Sequence, residues 1–385
     1  MKKVLVWLSG WVDSAVSAYL LQKQGYDVTA WFMINYLDEE NSNCPTKVDI
    51  KVAKEVAEYL KIPFFTFDYR EEYEEKVLNY MYEWYKKWIT PNPDVMCNKE
   101  IKFKMFLEEA MELGFDYIAT GHYAQIVNSV EWIVNNCHCE SNEAIQKTWN
   151  NVVNGLLRTS QWQPENIIHL LKWIDSTKDQ SYFLAFLNQF QLSKSLFPIW
   201  HLEKSKVRRI AEEIGLPNAK RKDSQWICFV GKVDFKEFLE KRIEHKEWDI
   251  VDTSWNILGR HNGIFYYTIW QRKWIEIGWL KEPIFVIKKD IENNRLIVWT
   301  ESDLELYDDK LILKHIHFLW KKDFQFPLNA KVKIRYRQSD QDCSIIKIDD
   351  NKFEIKFREK QRAITSGQIG AIYLGNELIM SWIID

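Results

Sequence analysis

Residues 4–8 (VLVWL) are apolar without a break, the pattern of a strand buried on both faces. A helical stretch is predicted at 14–24, with Ala15, Ala18 and Leu21 on one side, and a second strand at 28–34. In 47–60, Ile50, Ala53, Val56, Ala57 and Leu60 recur near a 3.6-residue period and predict a second helix. A strand at 63–67, helices at 71–87 and 99–113, and a short strand at 116–119 follow. This βαβαβ alternation predicts an α/β unit, a parallel sheet with helices on both faces. Helices are also expected at 179–190 and 203–214. From about residue 248 the period shortens. Strands are predicted at 263–270, 283–288, 295–299, 311–318, 331–337, 343–349, 352–358 and 368–374, which together make an all-β barrel or sandwich. Residues 127–170 fit neither pattern. They are polar and Asn-rich and read as an inserted loop or hairpin.

Charge narrows the picture only slightly. The 385 residues hold 52 Lys and Arg against 55 Asp and Glu, a net charge of -3. This excludes a polybasic wrapper of nucleic acid but leaves room for a local basic patch. Segment 203–223 is one candidate, with seven basic residues against four acidic ones; a solvated helix face is the plain alternative. Six cysteines at irregular spacing suit a reducing, cytosolic setting. Cys137, His138 and Cys139 supply too few ligands in register for a metal site. The N-terminal apolar run is too short for a secretory signal, and no run of 18 apolar residues predicts a membrane span. Two counts are abnormal. Trp occurs 19 times and Gly only 13 times, where about 27 glycines are usual for this length.

Candidate chemistry begins at Ser9-Gly10-Trp11-Val12-Asp13-Ser14, directly after the first strand and opening the first helix. Free backbone N–H groups and the two serine hydroxyls could cradle a phosphate there. An ordinary Ser/Asp helix cap is the alternative. Asp13 would repel phosphate unless Mg²⁺ bridges them. Trp11 counts against phosphate, since an indole could fill the phosphate volume or forbid the backbone angles. Cys97 follows Pro91 and Pro93, which fix a turn before a helix, so a position near the helix N-terminus is expected, where a thiolate is favoured. Cys228 follows the basic residues 220–222. Each could be a buried structural cysteine; a pair within reach would permit persulfide or disulfide chemistry.

These segments resemble the tRNA-specific 2-thiouridylase family of PP-loop ATP pyrophosphatases over nearly the whole chain. The family's SGGVDS stands here as SGWVDS at 9–14, and its NPDxxCNxxIKF runs from Asn92 to Phe103. ATGHYA at 119–124 and KDQSYFL at 178–184 are unchanged. FPxGxxxKxxVR runs from Phe197 to Arg208, DSxGICF from Asp223 to Phe229, and YTIGQRKG from Tyr267 to Trp274. The resemblance implies an N-terminal Rossmann-like PP-loop domain (1–204, with the 127–170 insert), a small central linking domain (205–280) and a C-terminal β-barrel that contacts tRNA (281–385).

It also implies ATP with Mg²⁺ near Asp13, and a tRNA of the lysine, glutamate or glutamine type with uridine at the first anticodon position (U34). A sulfur-relay protein or cysteine desulfurase would supply the persulfide, and the setting would be cytoplasmic. The C2 oxygen of the uridine would be adenylated, and a persulfide sulfur would then displace AMP. Cys228 corresponds to the persulfide carrier, Cys97 to its partner thiol, and Asp94 to an acid/base group beside the base. ATP contacts would come from Trp7, Leu8, Ser9, Gly10, Trp11, Val12, Asp13, Ser14, Met33 and Gly121. Contacts with tRNA would come from Asn92, Pro93, Asp94, Lys178, Asp179, Gln180, Arg335 and Tyr336.

Trp stands where the family has Gly at 11, 88, 173, 200, 226, 270, 274 and 279, with 31 and 382 as further candidates. Two explanations are open. Either a reassigned codon stands for Gly in the host, or the chain is a degenerate tRNA-binding homologue with a dead ATP site. Action on another RNA base is a third reading of the same motifs. Cys97, Cys228 and the β domain count against a small-molecule acceptor.

Overall fold

The computed structural model describes all residues except 38–43, 129–166, 176–177, 223–234, 241, 244–245, 273–274, 276, 278–281, 301–306 and 321–323. Five parallel strands form the first sheet: β1 (Lys3–Trp7), β2 (Asp27–Ile34), β3 (Phe64–Asp68), β4 (Tyr117–Ala119) and β7 (Ser195–Leu196). Their order is β3-β2-β1-β4-β7. Successive residues of β1 serve opposite faces. Val4 and Val6 pack, with Leu8, toward helices Val12–Lys23, Pro45–Leu60 and Lys204–Glu213; Leu5 and Trp7 pack toward the helical runs 70–86 and 93–112. That two-sided burial explains the unbroken apolar run, and it is the parallel, doubly covered sheet that the sequence predicts.

The later strands form two sheets. β8 (Trp248–Val251), β9 (Ile257–His261), β10 (Ile284–Asp290) and β11 (Arg295–Thr300) pair in the order β10-β11-β8-β9. The strands at 283–288 and 295–299, expected in the barrel, thus belong to this central sheet. The barrel sheet is built on β12 (Tyr307–Lys314), β14 (Leu328–Lys333), β15 (Gln341–Lys347), β16 (Lys352–Arg362), β17 (Ile369–Leu374) and β18 (Glu377–Ile383), with β13 (His317–Phe318) paired to β18.

A hairpin from the first unit joins it. β5 (Gln125–Asn128) and β6 (Ile168–Leu171) are the ends of the expected insert, and β6 pairs with β18 through Glu377 and Leu378. Buried Glu377 fastens this seam, accepting from the Trp320 indole N–H at 2.8 Å and lying 2.6 Å from His169 Nδ1.

Two expected elements are absent. The strand at 263–270 is a 3₁₀ turn, Ile264–Tyr266, followed by a turn at 268–271. The helix at 179–190 is two short turns, Ser181–Leu184 and Gln189–Ser193. The second begins afresh because Asn188 and Gln191 form a reciprocal capping box. The cluster Cys137-His138-Cys139 lies outside the described residues. Among the described residues, no helix is long and apolar enough to cross a membrane.

The backbone bears on the Trp surplus. Trp88, Trp255 and Trp270 have φ of 64°, 68° and 75°, in the left-handed region. Each occupies a position with a specific demand for Gly. Trp88 is the first residue past a helix C-cap, where Trp88 N–H bonds Tyr85 O at 2.9 Å and Ile89 N–H bonds Trp84 O at 3.0 Å, the Schellman pattern. Trp270 is the third residue of a turn closed by Gln271 N–H on Thr268 O at 2.9 Å, where type II geometry requires positive φ. Trp255, which no motif flags, closes the β8–β9 hairpin. A side chain in this region costs about 1–2 kcal/mol. Trp255→Gly removes an exposed indole, so it should stabilise the fold by about 1 kcal/mol. A urea midpoint that stays put or falls would refute this reading.

Buried indoles carry a second cost. The N–H groups of Trp31, Trp173 and Trp382 find no acceptor among the described residues, and a stranded buried donor costs about 1–3 kcal/mol. Trp382 differs in one respect. It lies across from Gly370, where a Cβ would stand 2.1 Å from its ring, so this Gly is what admits the indole.

Candidate nucleotide and cysteine site

The order β3-β2-β1-β4-β7 reverses direction at β1, so loops diverge from the carboxyl ends of β1 and β4 and leave a crevice. Ser9 to Ser14 fill the first of these loops. Gly10 has φ +80°, and a Cβ there would lie 2.7 Å from Asp49 O. The hydroxyls of Ser9 and Ser14 are 3.1 Å apart, and Ser14 Oγ donates to Trp11 O at 3.0 Å, closing the loop over the start of helix Val12–Lys23. From β4, Gly121 presses against the same turn: a Cβ there would meet Ser14 N at 2.8 Å. Met33 and Trp7 are placed nearby on β2 and β1, but both side chains are buried in the sheet's core. Leu8 N–H bonds Trp31 O at 2.9 Å.

Trp11 has φ -92° and ψ 158°, ordinary extended backbone, so the expected conformational objection does not hold. The volume objection does bear on it. Its ring lies 4.0 Å from the Arg221 guanidinium carbon, at the mouth of the loop. Asp13 is also partnered. Its carboxylate accepts from Lys204 Nζ at 2.6 and 2.7 Å and from Tyr123 Oη at 2.6 Å. The repulsion expected between Asp13 and phosphate is therefore answered by a lysine. Among the described residues no cluster of three or more His, Cys, Asp or Glu side chains could hold a metal ion.

The segment 178–184 ties this loop to the rest of the site. Gln180 and Tyr123 exchange hydrogen bonds, Tyr123 N–H to Gln180 Oε1 at 2.8 Å and Gln180 N–H to Tyr123 O at 2.9 Å. Asp179 is turned inward, contrary to its expected role on RNA. Its carboxylate accepts from Trp173 N–H, Ser181 N–H and Ser181 Oγ, and Lys333 of β14 lies 3.3 Å away. A carboxylate so buried needs such partners. Phe183 O accepts from Asn98 Nδ2 at 3.2 Å, and the Phe183 ring lies 4.2 Å from Tyr336.

The Cys97 helix starts at Pro93, not after a separate turn. Asn92 caps it, its Oδ1 accepting from Val95 N–H at 3.2 Å, and Pro93 supplies the first helical residue. Cys97 therefore sits beyond the first turn, where the pull of the helix dipole has largely faded, and its side chain is fully buried. Asp94 shares its face one turn back and is half-buried. The barrel holds the entry to this turn: Gln368 Nε2 donates to Thr90 O at 3.0 Å, and Thr90 N–H bonds Ser366 O at 3.2 Å. Cys228 and Trp226 lie outside the described residues.

On the barrel, Arg335 and Tyr336 are both half-buried beside exposed Arg337. Burial and the neighbouring Arg362 lower the affinity of Arg335 for its proton, and burial raises the Tyr336 phenol. Lys178 is half-buried at the other side of the 178–184 segment.

Several site residues escaped the sequence reading. Tyr123 and His122 lie inside ATGHYA, so the motif contained them without giving their roles. Burial holds His122 well below the ordinary histidine range, and its Nδ1 lies 2.7 Å from Thr120 Oγ1. Lys204, Asn218 and Arg221 belong to the basic segment 203–223, whose destination only the fold discloses.

The family described as tRNA methyl transferase HUP domain matches residues 2–232. The tRNA methyl transferase PRC-barrel domain matches 236–300, and the aminomethyltransferase β-barrel domain matches 308–384. The tRNA-specific 2-thiouridylase MnmA of Streptococcus thermophilus is 41% identical over 389 residues, covering 100% of this chain and 95% of its own. That of Shouchella clausii is 41% identical over 385 residues, with 100% and 96% covered. That of Staphylococcus carnosus is 39% identical over 387 residues, with 100% and 95% covered. Identity at this level, end to end and across all three sheets, makes the chain a member of the tRNA-specific 2-thiouridylase family.

Proposed function

We propose that this protein replaces the C2 oxygen of uridine at the first anticodon position of tRNA with sulfur, using ATP. The observation that carries the reading is the junction at 178–184. One short segment reaches the phosphate loop through Gln180 and Tyr123, whose Oη donates to Asp13, the Cys97 helix through Phe183 O, and the barrel through Asp179 and the Phe183 ring. Nucleotide, thiol and RNA-facing surfaces are thus held in one rigid relation, as a reaction joining all three requires.

The chemistry follows from the weakness of uracil C2 as an electrophile. The C2 oxygen attacks the α-phosphorus of ATP, and pyrophosphate leaves. Helix N–H groups at 12–14 and the Ser9 and Ser14 hydroxyls suit the phosphates. Mg²⁺ would travel with ATP near Asp13, where it would neutralise phosphate charge. The terminal sulfur of a persulfide on Cys228 then adds to C2. Cys97 attacks the Cys228 sulfur, the S–S bond to the delivered sulfur breaks, a Cys97–Cys228 disulfide forms, and AMP leaves with the former C2 oxygen. Asp94, on the Cys97 face, handles the proton. Asn92 and Pro93 shape the base pocket, into which an anticodon uridine, already partly unstacked, can be drawn. Arg335, Tyr336 and Lys178 contact the tRNA, and Asp179 supports them from behind.

In this reading the catalytic unit is residues 1–204 with its hairpin, followed by a linking part and the barrel, and strand pairing favours drawing the last boundary after β11. A reducing thiol opens the Cys97–Cys228 disulfide, and a cysteine desulfurase or relay protein then reloads Cys228 in the cytoplasm.

Pyrophosphate release from ATP should depend on added unmodified tRNA, with one 2-thiouridine formed per AMP. Release that ignores tRNA, or tRNA binding with no release, would defeat the proposal.

A further inference from the structure

The basic segment 203–223 delivers three side chains to the phosphate loop from outside it. Lys204 opens helix Lys204–Glu213 and places Nζ between both oxygens of Asp13. Asn218 Nδ2 donates to Gly10 O at 3.0 Å, and Arg221 Nη1 donates to the same oxygen at 3.1 Å. Arg221 also pairs with Asp49, and its own carbonyl accepts from Arg208 Nη1 at 3.0 Å. Fixing Gly10 O has a geometric consequence. In a planar trans peptide the N–H of residue 11 points opposite to that oxygen. Asn218 and Arg221 therefore set the direction of the first amide of the phosphate loop. The two cations are also held back at present by carboxylates. Burial pushes the Asp49 carboxyl up, while its pairing with Arg221 pulls it back down.

We infer that Lys204 and Arg221 form the outer wall of the subsite for the β- and γ-phosphates of ATP, with Asn218 positioning the loop's first amide. This rests on the ATP-dependent reading above and assigns that subsite to residues far along the chain. An incoming triphosphate competes with Asp13 for Lys204 and with Asp49 for Arg221. Departure of pyrophosphate returns both cations to their carboxylates, so the wall is neutralised in either state. The basic run is thereby an ATP feature and not an RNA patch.

The test uses the full chain, both with Trp11 and with Trp11→Gly. Lys204→Met and Arg221→Gln are compared with their parent for binding of ATP, AMP and tRNA by calorimetry, and for tRNA-dependent pyrophosphate release. Each variant should bind ATP about tenfold or more weakly, the worth of a charged hydrogen bond. AMP and tRNA affinities should stay within about twofold, since neither needs the outer phosphates. Unchanged ATP affinity in both variants, with a parent that releases pyrophosphate, overturns the wall. Weakened tRNA binding with normal ATP binding also overturns it and returns the segment to RNA. A parent that releases no pyrophosphate fails the functional reading instead. If Lys204→Met loses every ligand the fold has failed, and Arg221→Gln decides alone.

Discussion

Protein isolated from its native host should carry Gly, not Trp, at positions 11, 88, 255 and 270, and at most of 173, 200, 226, 274 and 279. The physical case comes from several independent directions. Three tryptophans hold positive φ in a Schellman cap, a type II turn and a hairpin closure, which are positions that select Gly for its missing Cβ. Trp173 buries an indole N–H with no acceptor among the described residues. Trp11 sets a ring 4.0 Å from the Arg221 guanidinium carbon, against the wall proposed for the outer phosphates. Summed at about 1–2 kcal/mol for each strained backbone and about 1–3 for each stranded donor, these costs rival the 5–15 kcal/mol that holds a typical domain folded. Decay by random mutation would scatter over residue types and would not leave KDQSYFL intact. Peptide mass spectrometry across residues 9–14 and 84–89 settles the matter, and Trp found at 11 and 88 would end the codon-reassignment explanation. The companion substitution Trp11→Gly should tighten ATP binding by about tenfold or more through removal of the indole's volume.

Cys97→Ser and Cys228→Ser should each lower 2-thiouridine formation by about a thousandfold or more, while tRNA-dependent pyrophosphate release continues. Removing a nucleophile commonly costs that much or more. The two reaction halves should separate because adenylation uses the phosphate loop and sulfur delivery uses the thiols. A serine hydroxyl can neither carry a persulfide nor attack one. Cys97 is fully buried, so alkylation of Cys97 should be slow in the free protein and faster once tRNA occupies the site. Normal thiolation by both variants would discard the two-cysteine mechanism.

How far the sequence could be read depended on the range of the forces concerned. The parallel sheet was legible because burial on both faces leaves an unbroken apolar run, as at 4–8, and because helix 45–60 repeats its apolar face with a period no strand shares. The 263–270 stretch reads as a strand because IFYYTI has strand composition, while the φ at Trp270 and tertiary packing impose turns. Strand β18 was overlooked although all but one of its seven residues are buried. In the site, motif order pointed to the loop at 9–14 and to Cys97 and Cys228, the last of them outside the described residues. The inward turn of Asp179 combines local bonds to Ser181 and Trp173 with a contact to Lys333, more than 150 residues away, and no local pattern encodes that last partner. The same holds for Lys204 on Asp13, a contact across 191 positions.

The pairing of β6 with β18 has a temporal side. Residues 168–171 belong to the part of the chain synthesised first, yet the strand that covers their edge is made of residues 377–383. The hairpin therefore waits on the ribosome with an open edge through the making of more than 200 residues. The Glu377 carboxylate that meets His169 arrives 208 residues after it. A growing chain cannot seal its catalytic unit early and go on to add the barrel as an accessory. A nascent chain that stalls short of β18 exposes an unpaired edge ready to seek another strand.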